Sequence, residues 1–130
     1  MPIFSERSRS ILHTCDPRLL KIFVAVVTVF DCTVVSGHRG SHEQEDLFRR
    51  GLTKVRYPFS KHNSSPSLAV DVYPYPIDWK DRDRFHYFAG FVMATAESLS
   101  YPLIWGGDWD KDWQVRDNVF DDLGHFELIG

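Results

Sequence analysis

Two segments rich in metal-donor side chains, more than fifty residues apart, constrain the fold of this chain more than anything else in it. The first reads Ser60-Lys61-His62-Asn63-Ser64-Ser65-Pro66-Ser67-Leu68-Ala69-Val70-Asp71, and the second Asp122-Leu123-Gly124-His125-Phe126-Glu127. Two imidazoles and a carboxylate, here His62, Asp71 and His125, are a set with which proteins hold Zn²⁺ through three bonds while leaving a fourth position open to water. If the three share one ion, the C-terminal segment must fold back against the middle of the chain. An open position implies catalysis, and a carboxylate that is not a ligand must then move protons. Asp122, three residues before His125, stands where such a group is needed.

Local patterns give the scaffold. Asp16-Pro17 is an N-cap followed by proline at the first helical position, which opens a helix running toward Phe30. Thr33-Val34-Val35 suggests a buried strand. Ser41-His42-Glu43-Gln44 has the Ser-x-x-Gln form of a capping box, and Gly51 is a natural terminator, so a helix is expected over 42–50. Arg39 then sits at a strand-to-helix junction, able to point into a cleft. Residues 54–66, rich in Pro, Ser and Asn, read as a loop.

In Leu68-Ala69-Val70-Asp71-Val72 the alternation puts Leu68, Val70 and Val72 on a core face and Asp71 beside the small Ala69 on the other. Pro74 and Pro76 end this strand. Asp78 is expected to cap a long helix through about Ser98, whose Phe85, Phe88, Val92, Ala96 and Leu99 follow helical spacing. Residues 103–105 and 125–128 read as further short strands. In the last of them His125 and Glu127 share a face while Phe126 and Leu128 turn to the core.

Length and charge bound the alternatives. A chain of 130 residues, 43% hydrophobic, supports one core, so a single domain over 1–130 is expected. Net charge is −3, and the sequence has no long basic stripe, which removes electrostatic support for nucleic-acid binding. Cys15 and Cys32 lack the paired spacing of a structural zinc site and read as buried free thiols. The apolar run over residues 22–30 is shorter than the ~20 residues a membrane span requires. It lies behind Arg7, Arg9 and Arg18 with no small-x-small cleavage site, so it is read as core and not as a signal or membrane span.

Beyond these local readings, the ordered blocks Gly37-His38-Arg39, Gln44-Glu45-Asp46-Leu47-Phe48, Ser60 to Asn63, Pro66 to Asp71, Trp105-Gly106-Gly107-Asp108-Trp109 and His125-Phe126-Glu127-Leu128 resemble the zinc D-Ala-D-Ala and L-Ala-D-Glu peptidase family. The phage-type endolysins are the nearer match. The resemblance implies an α+β fold with helices packed on a small, largely antiparallel sheet, and zinc on His62, Asp71 and His125. It also selects Asp122 over Asp121 as the general base, which takes a proton from the attacking water and passes it to the leaving amine.

Arg39 is expected to stabilise the developing oxyanion or to anchor a substrate carboxylate. Ser60 and Gln44 are candidate substrate-binding residues, and Glu127 is either a partner of the zinc-bound His125 or a plain strand carboxylate. Gly124 stands where many relatives have proline, an expected loosening of that turn. Asp108, Asp110 and Asp112 offer a possible Ca²⁺ site or a solvated acidic loop. Against an EF-hand, Trp113 and Val119 replace the glycine and the glutamate.

The implied activity is hydrolysis of the peptidoglycan stem peptide between L-Ala and D-Glu. A D-Ala-D-Ala carboxypeptidase and a non-catalytic zinc-stabilised binding domain are the alternatives. The expected partner is the stem peptide, and the expected form a monomer without membrane insertion. Release from the host bacterial cytoplasm to the wall would need a holin or lysis.

Overall fold

The computed structural model describes residues 2–114 and 122–129. Along these residues run α1 (Glu6–Leu12), α2 (Pro17–Val27), β1 (Cys32–Ser36), α3 (Ser41–Arg49), a 3₁₀ turn (Lys61–Asn63), β2 (Ala69–Pro74), α4 (Arg82–Ser98), β3 (Leu103–Trp105) and β4 (His125–Leu128). The strands form one antiparallel sheet in the order β1-β2-β4-β3. The α+β class expected from the sequence is what this order describes.

Each helix start has a chemical cause. Asp16 caps α2 by accepting the N–H of Arg18, with Pro17 at the first position. Ser5 caps α1 by accepting the N–H of Ser8. The long helix is capped by Asp81, whose carboxylate takes the N–H of Arg84, and not by Asp78, which instead accepts from Lys80 within the preceding turn. The expected capping box at Ser41 does not form. Gly40 is the N-cap of α3, and the Gln44 side chain is drawn away to other partners. Gly51 follows α3 at φ +72°, as expected of a terminating glycine.

The sheet's apolar face and the helices enclose a core in which Phe126 is fully buried, edge-on to Phe23 at 5.5 Å and to Phe88 at 6.2 Å. α2 supplies Leu19, Ile22, Phe23 and Val26, and α4 supplies Phe85, Phe88, Val92 and Ala96. Leu99 is the C-cap of α4 and is 38% exposed, so Ala89 rather than Leu99 belongs to the buried stripe. The apolar run over 22–30 is thus divided between a packed helix and the turn after it. Among the described residues no helix is long and apolar enough to cross a membrane.

α1 packs against β1 at the sheet edge, where the buried Ser8 hydroxyl accepts the N–H of Val34 at 3.1 Å. That contact satisfies an edge-strand donor which would otherwise be orphaned. β1 carries an irregularity between Val34 and Ser36, after which Ser36 pairs with Asp71. The bulge brings the end of β1, and Arg39 beyond it, toward the polar face of β2.

Candidate active site

The alternation of β2 and β4 places the donors. Asp71 on β2 and His125 on β4 are directly paired across the ladder, with Val70 and Val72 on one side and Phe126 and Leu128 on the other committed to the core. His62 comes from the 3₁₀ turn, which Ser60 organises through a reciprocal box: its hydroxyl accepts the His62 N–H, and Asn63 Oδ1 accepts the Ser60 N–H. The Arg39 N–H donates to the His62 carbonyl at 2.7 Å and ties this turn to the end of β1.

Three donors converge from these elements. His125 Nδ1 lies 3.0 Å and His62 Nε2 3.3 Å from Asp71 Oδ1, and all three side chains are buried. His62 Nδ1 lies 2.7 Å from the Gly37 carbonyl, which only accepts, so Nδ1 carries the proton and Nε2 a lone pair. That Nε2 is buried and has no hydrogen-bond partner among the described residues, although it faces the Asp71 carboxylate. Two acceptors turned toward each other in a dry place call for a cation between them. His62, Asp71 and His125 therefore suit a metal ion, with one ligand atom each within 4.8 Å of the others.

The electrostatics agree with this placement. Burial by itself would raise the Asp71 pKa, yet the hydrogen bond from the His125 imidazole opposes it and the carboxyl lies well below the usual range. Burial also disfavours a charged His125, but Asp71 on one side and Glu127 on the other push its pKa up to about 9.

These donors floor a cleft of about 500 Å³ whose walls include Arg39, Val55, Phe59, Trp109 and Asp122. Arg39 donates from Nε to Ser36 Oγ and from Nη2 to Asp71 Oδ2, both at 3.1 Å, so its guanidinium grips the oxygen of Asp71 remote from the two histidines. Asp122 is solvent-exposed at the cleft, but the surrounding protein displaces enough water, with the nearby Asp71 charge adding to it, to raise its pKa. Its backbone is pinned by Asp122 N–H to Gly106 O at 2.8 Å and His125 N–H to Asp122 O at 3.0 Å.

Gln44 is placed differently from the expectation of a substrate contact. It is fully buried behind the cleft wall, donating to the Val55 carbonyl at 2.7 Å and accepting from Asn63 Nδ2 at 3.2 Å. It is a brace for the loop that carries His62. Ser60 does line the cleft, with its hydroxyl engaged in the turn. Asp121, the competitor of Asp122, and Val119 lie outside the described residues.

The carboxylates of Asp108, Asp110 and Asp112 also come within 4.8 Å of one another. They accept the backbone N–H groups of Asp112, Trp113 and Gln114, so the turn is wound around its own side chains. Trp113 takes the left-handed conformation, φ +72°, at the position where an EF-hand has glycine.

Several cleft residues carry no role in a local motif. Trp109 tilts over His125 with ring centroids 5.4 Å apart. Gly124, expected to loosen the turn, is instead required by packing, because an added Cβ would lie 2.0 Å from the Tyr73 ring. The only forewarning of Trp109 was its place in the aromatic-glycine block at residues 105–109.

With this geometry in hand, comparison with known proteins gives a consistent answer. Residues 2–129 match the family described as phage L-alanyl-D-glutamate peptidase. The L-Ala D-Glu endopeptidase ChiX of Serratia marcescens superposes with a TM-score of 0.77 at 24% identity, covering 98% of this chain and 91% of that one, a likeness that shows the shared fold. No curated protein sequence matches the chain. The chain belongs to the phage L-alanyl-D-glutamate peptidase family, and its family activity is that of a hydrolase.

Proposed function

We propose that this chain is a zinc-dependent endopeptidase that hydrolyses the L-Ala–D-Glu bond of the peptidoglycan stem. The observation that carries the reading is the meeting of three buried lone-pair donors, His62, Asp71 and His125, on the floor of an open cleft. One Asp and two His favour zinc over the harder, all-oxygen cations. Zinc held there supplies Lewis acidity toward the scissile carbonyl and the attacking water.

The chain's own residues supply the rest. Asp122, in the cleft and outside the ligand set, accepts the proton of the attacking water and delivers it to the departing D-Glu amine. Its raised pKa makes the carboxylate a stronger base for the first step. Arg39 holds Asp71 from behind, and its guanidinium places positive charge beside the carbonyl oxygen as negative charge develops. Phe59 and Val55 offer the stem peptide an apolar wall, and Trp109 covers one face of His125. Release from the host cytoplasm by a holin or lysis belongs to the same proposal.

Digestion of purified peptidoglycan by the zinc-loaded protein, followed by mass spectrometry, tests it. Fragments with a new N-terminal D-Glu and L-Ala left on the muramyl side are expected. Release of free D-Ala without that terminus would replace the proposal with a carboxypeptidase, and intact stems would leave a binding domain.

A further inference from the structure

We propose that Glu127 is a positioning residue that decides which nitrogen of His125 faces the metal, and that Lys61 holds Glu127 in place for it. This rests on the metal-site reading above. Strand alternation puts residues 125 and 127 on one face of β4, and Glu127 Oε1 lies 2.8 Å from His125 Nε2. An ionised carboxylate only accepts, so Nε2 must carry the proton. A cation that displaces the proton between Nδ1 and Asp71 Oδ1, 3.0 Å apart, therefore finds its lone pair on Nδ1.

The two histidines thus present opposite nitrogens to one point. His62 is fixed by the Gly37 carbonyl behind its Nδ1, and His125 by the Glu127 carboxylate behind its Nε2. Only the second of these anchors is a side chain, and therefore open to substitution. A charged acceptor also makes the imidazole a stronger donor than a carbonyl does.

Lys61 completes the arrangement. Its Nζ lies 3.6 Å from Glu127 Oε2 and 2.5 Å from the Leu128 carbonyl, so the ammonium occupies the far carboxylate oxygen and leaves Oε1 to His125. Because Lys61 immediately precedes one ligand and Glu127 follows another by two residues, the pair links the 3₁₀ turn to β4. The same two side chains that set the tautomer also fix the separation of the segments bearing it.

The test measures zinc affinity of the full chain by chelator competition, together with ¹⁵N NMR of labelled histidines. In the zinc-loaded wild type, His125 should be metallated at Nδ1 and carry a slowly exchanging proton on Nε2. Glu127→Ala should weaken zinc binding roughly 10–100-fold, the scale of a lost partner behind a ligand. Glu127→Gln, which keeps one acceptor oxygen, should lose less, and Lys61→Met should also lose less than the alanine variant.

A purely structural role would lower the chelated protein's melting temperature without altering the His125 tautomer. Wild-type zinc affinity in folded Glu127→Ala, or metallation of wild-type His125 at Nε2, would overturn the assignment alone. The second result needs no variant to fold. A wild-type chain that binds no zinc would overturn the metal-site reading and this assignment with it.

Discussion

Asp122 and Arg39 both line the cleft, but their neighbours assign them different chemistry. The Asp122 carboxylate is not among the converging donors, and water displaced by the surrounding protein, with the Asp71 charge, raises its pKa, as suits a group that must take up a proton. Asp122→Asn should therefore retain zinc by elemental analysis while losing roughly 10²-fold or more in turnover, the scale of a missing general base. Arg39 bonds Ser36 Oγ and Asp71 Oδ2 at once, a fork that an ammonium does not reproduce, so Arg39→Lys should weaken both metal retention and rate. Away from the cleft, burial is the main cause that pushes the Cys15 and Cys32 thiols up, to about 11 and about 12. A raised thiol pKa keeps the unreactive protonated form dominant at pH 8, so both cysteines should resist alkylation there and react once denaturant is added. Rapid labelling of the native protein would contradict their placement.

At the scale of elements, the sequence made legible whatever depended on neighbours in the chain. Period-2 alternation in β2 and β4 correctly separated Asp71, His125 and Glu127 from the core residues, and Asp16-Pro17 marked the start of α2. What it concealed depended on distant partners. The Ser-x-x-Gln motif failed because Gln44 finds Val55 eleven residues on and Asn63 nineteen residues on, contacts no local pattern contains. α1 went unread because its seven residues are mostly polar and it is secured across the fold, through Ser8 to Val34. The glycines of the β3 and β4 ends had the same opacity. A Cβ on Gly106 would fall 2.1 Å from the Asp122 carbonyl oxygen, whereas one on Gly124 would strike the Tyr73 ring. Gly106→Ala should thus displace Asp122 and cut turnover sharply, since a misplacement of about 1 Å costs ~10²-fold, while zinc is retained. Gly124→Ala should chiefly destabilise, by about 1–3 kcal/mol as overpacking does, and thermal melts with matched activity assays would separate the two.

For the molecule as a whole, the ion is a crosslink as well as a reagent. Its ligands stand on the loop after α3, on the central strand β2 and on the C-terminal strand β4, so one bound ion joins segments that an unfolded chain keeps far apart. The protein alone joins them less well. Buried His62 Nε2 finds no hydrogen-bond partner among the described residues, and the carboxylates of Asp71 and Glu127 raise the pKa of the His125 between them. Any ion that binds the folded chain and not the unfolded one stabilises it by mass action, ~2.7 kcal/mol at a hundred times Kd. For a chain of this size that corresponds to roughly 10 °C in Tm. Chelation should therefore lower the melting temperature by about that amount, and added zinc should restore it in a concentration-dependent way. Because the apolar face of the sheet is packed by α2 and α4 independently of the cleft, far-UV circular dichroism of the chelated protein at room temperature should stay native. An unchanged Tm on chelation would mean that the three donors do not share an ion. Loss of the fold on chelation would mean that the core is too weak to stand without one.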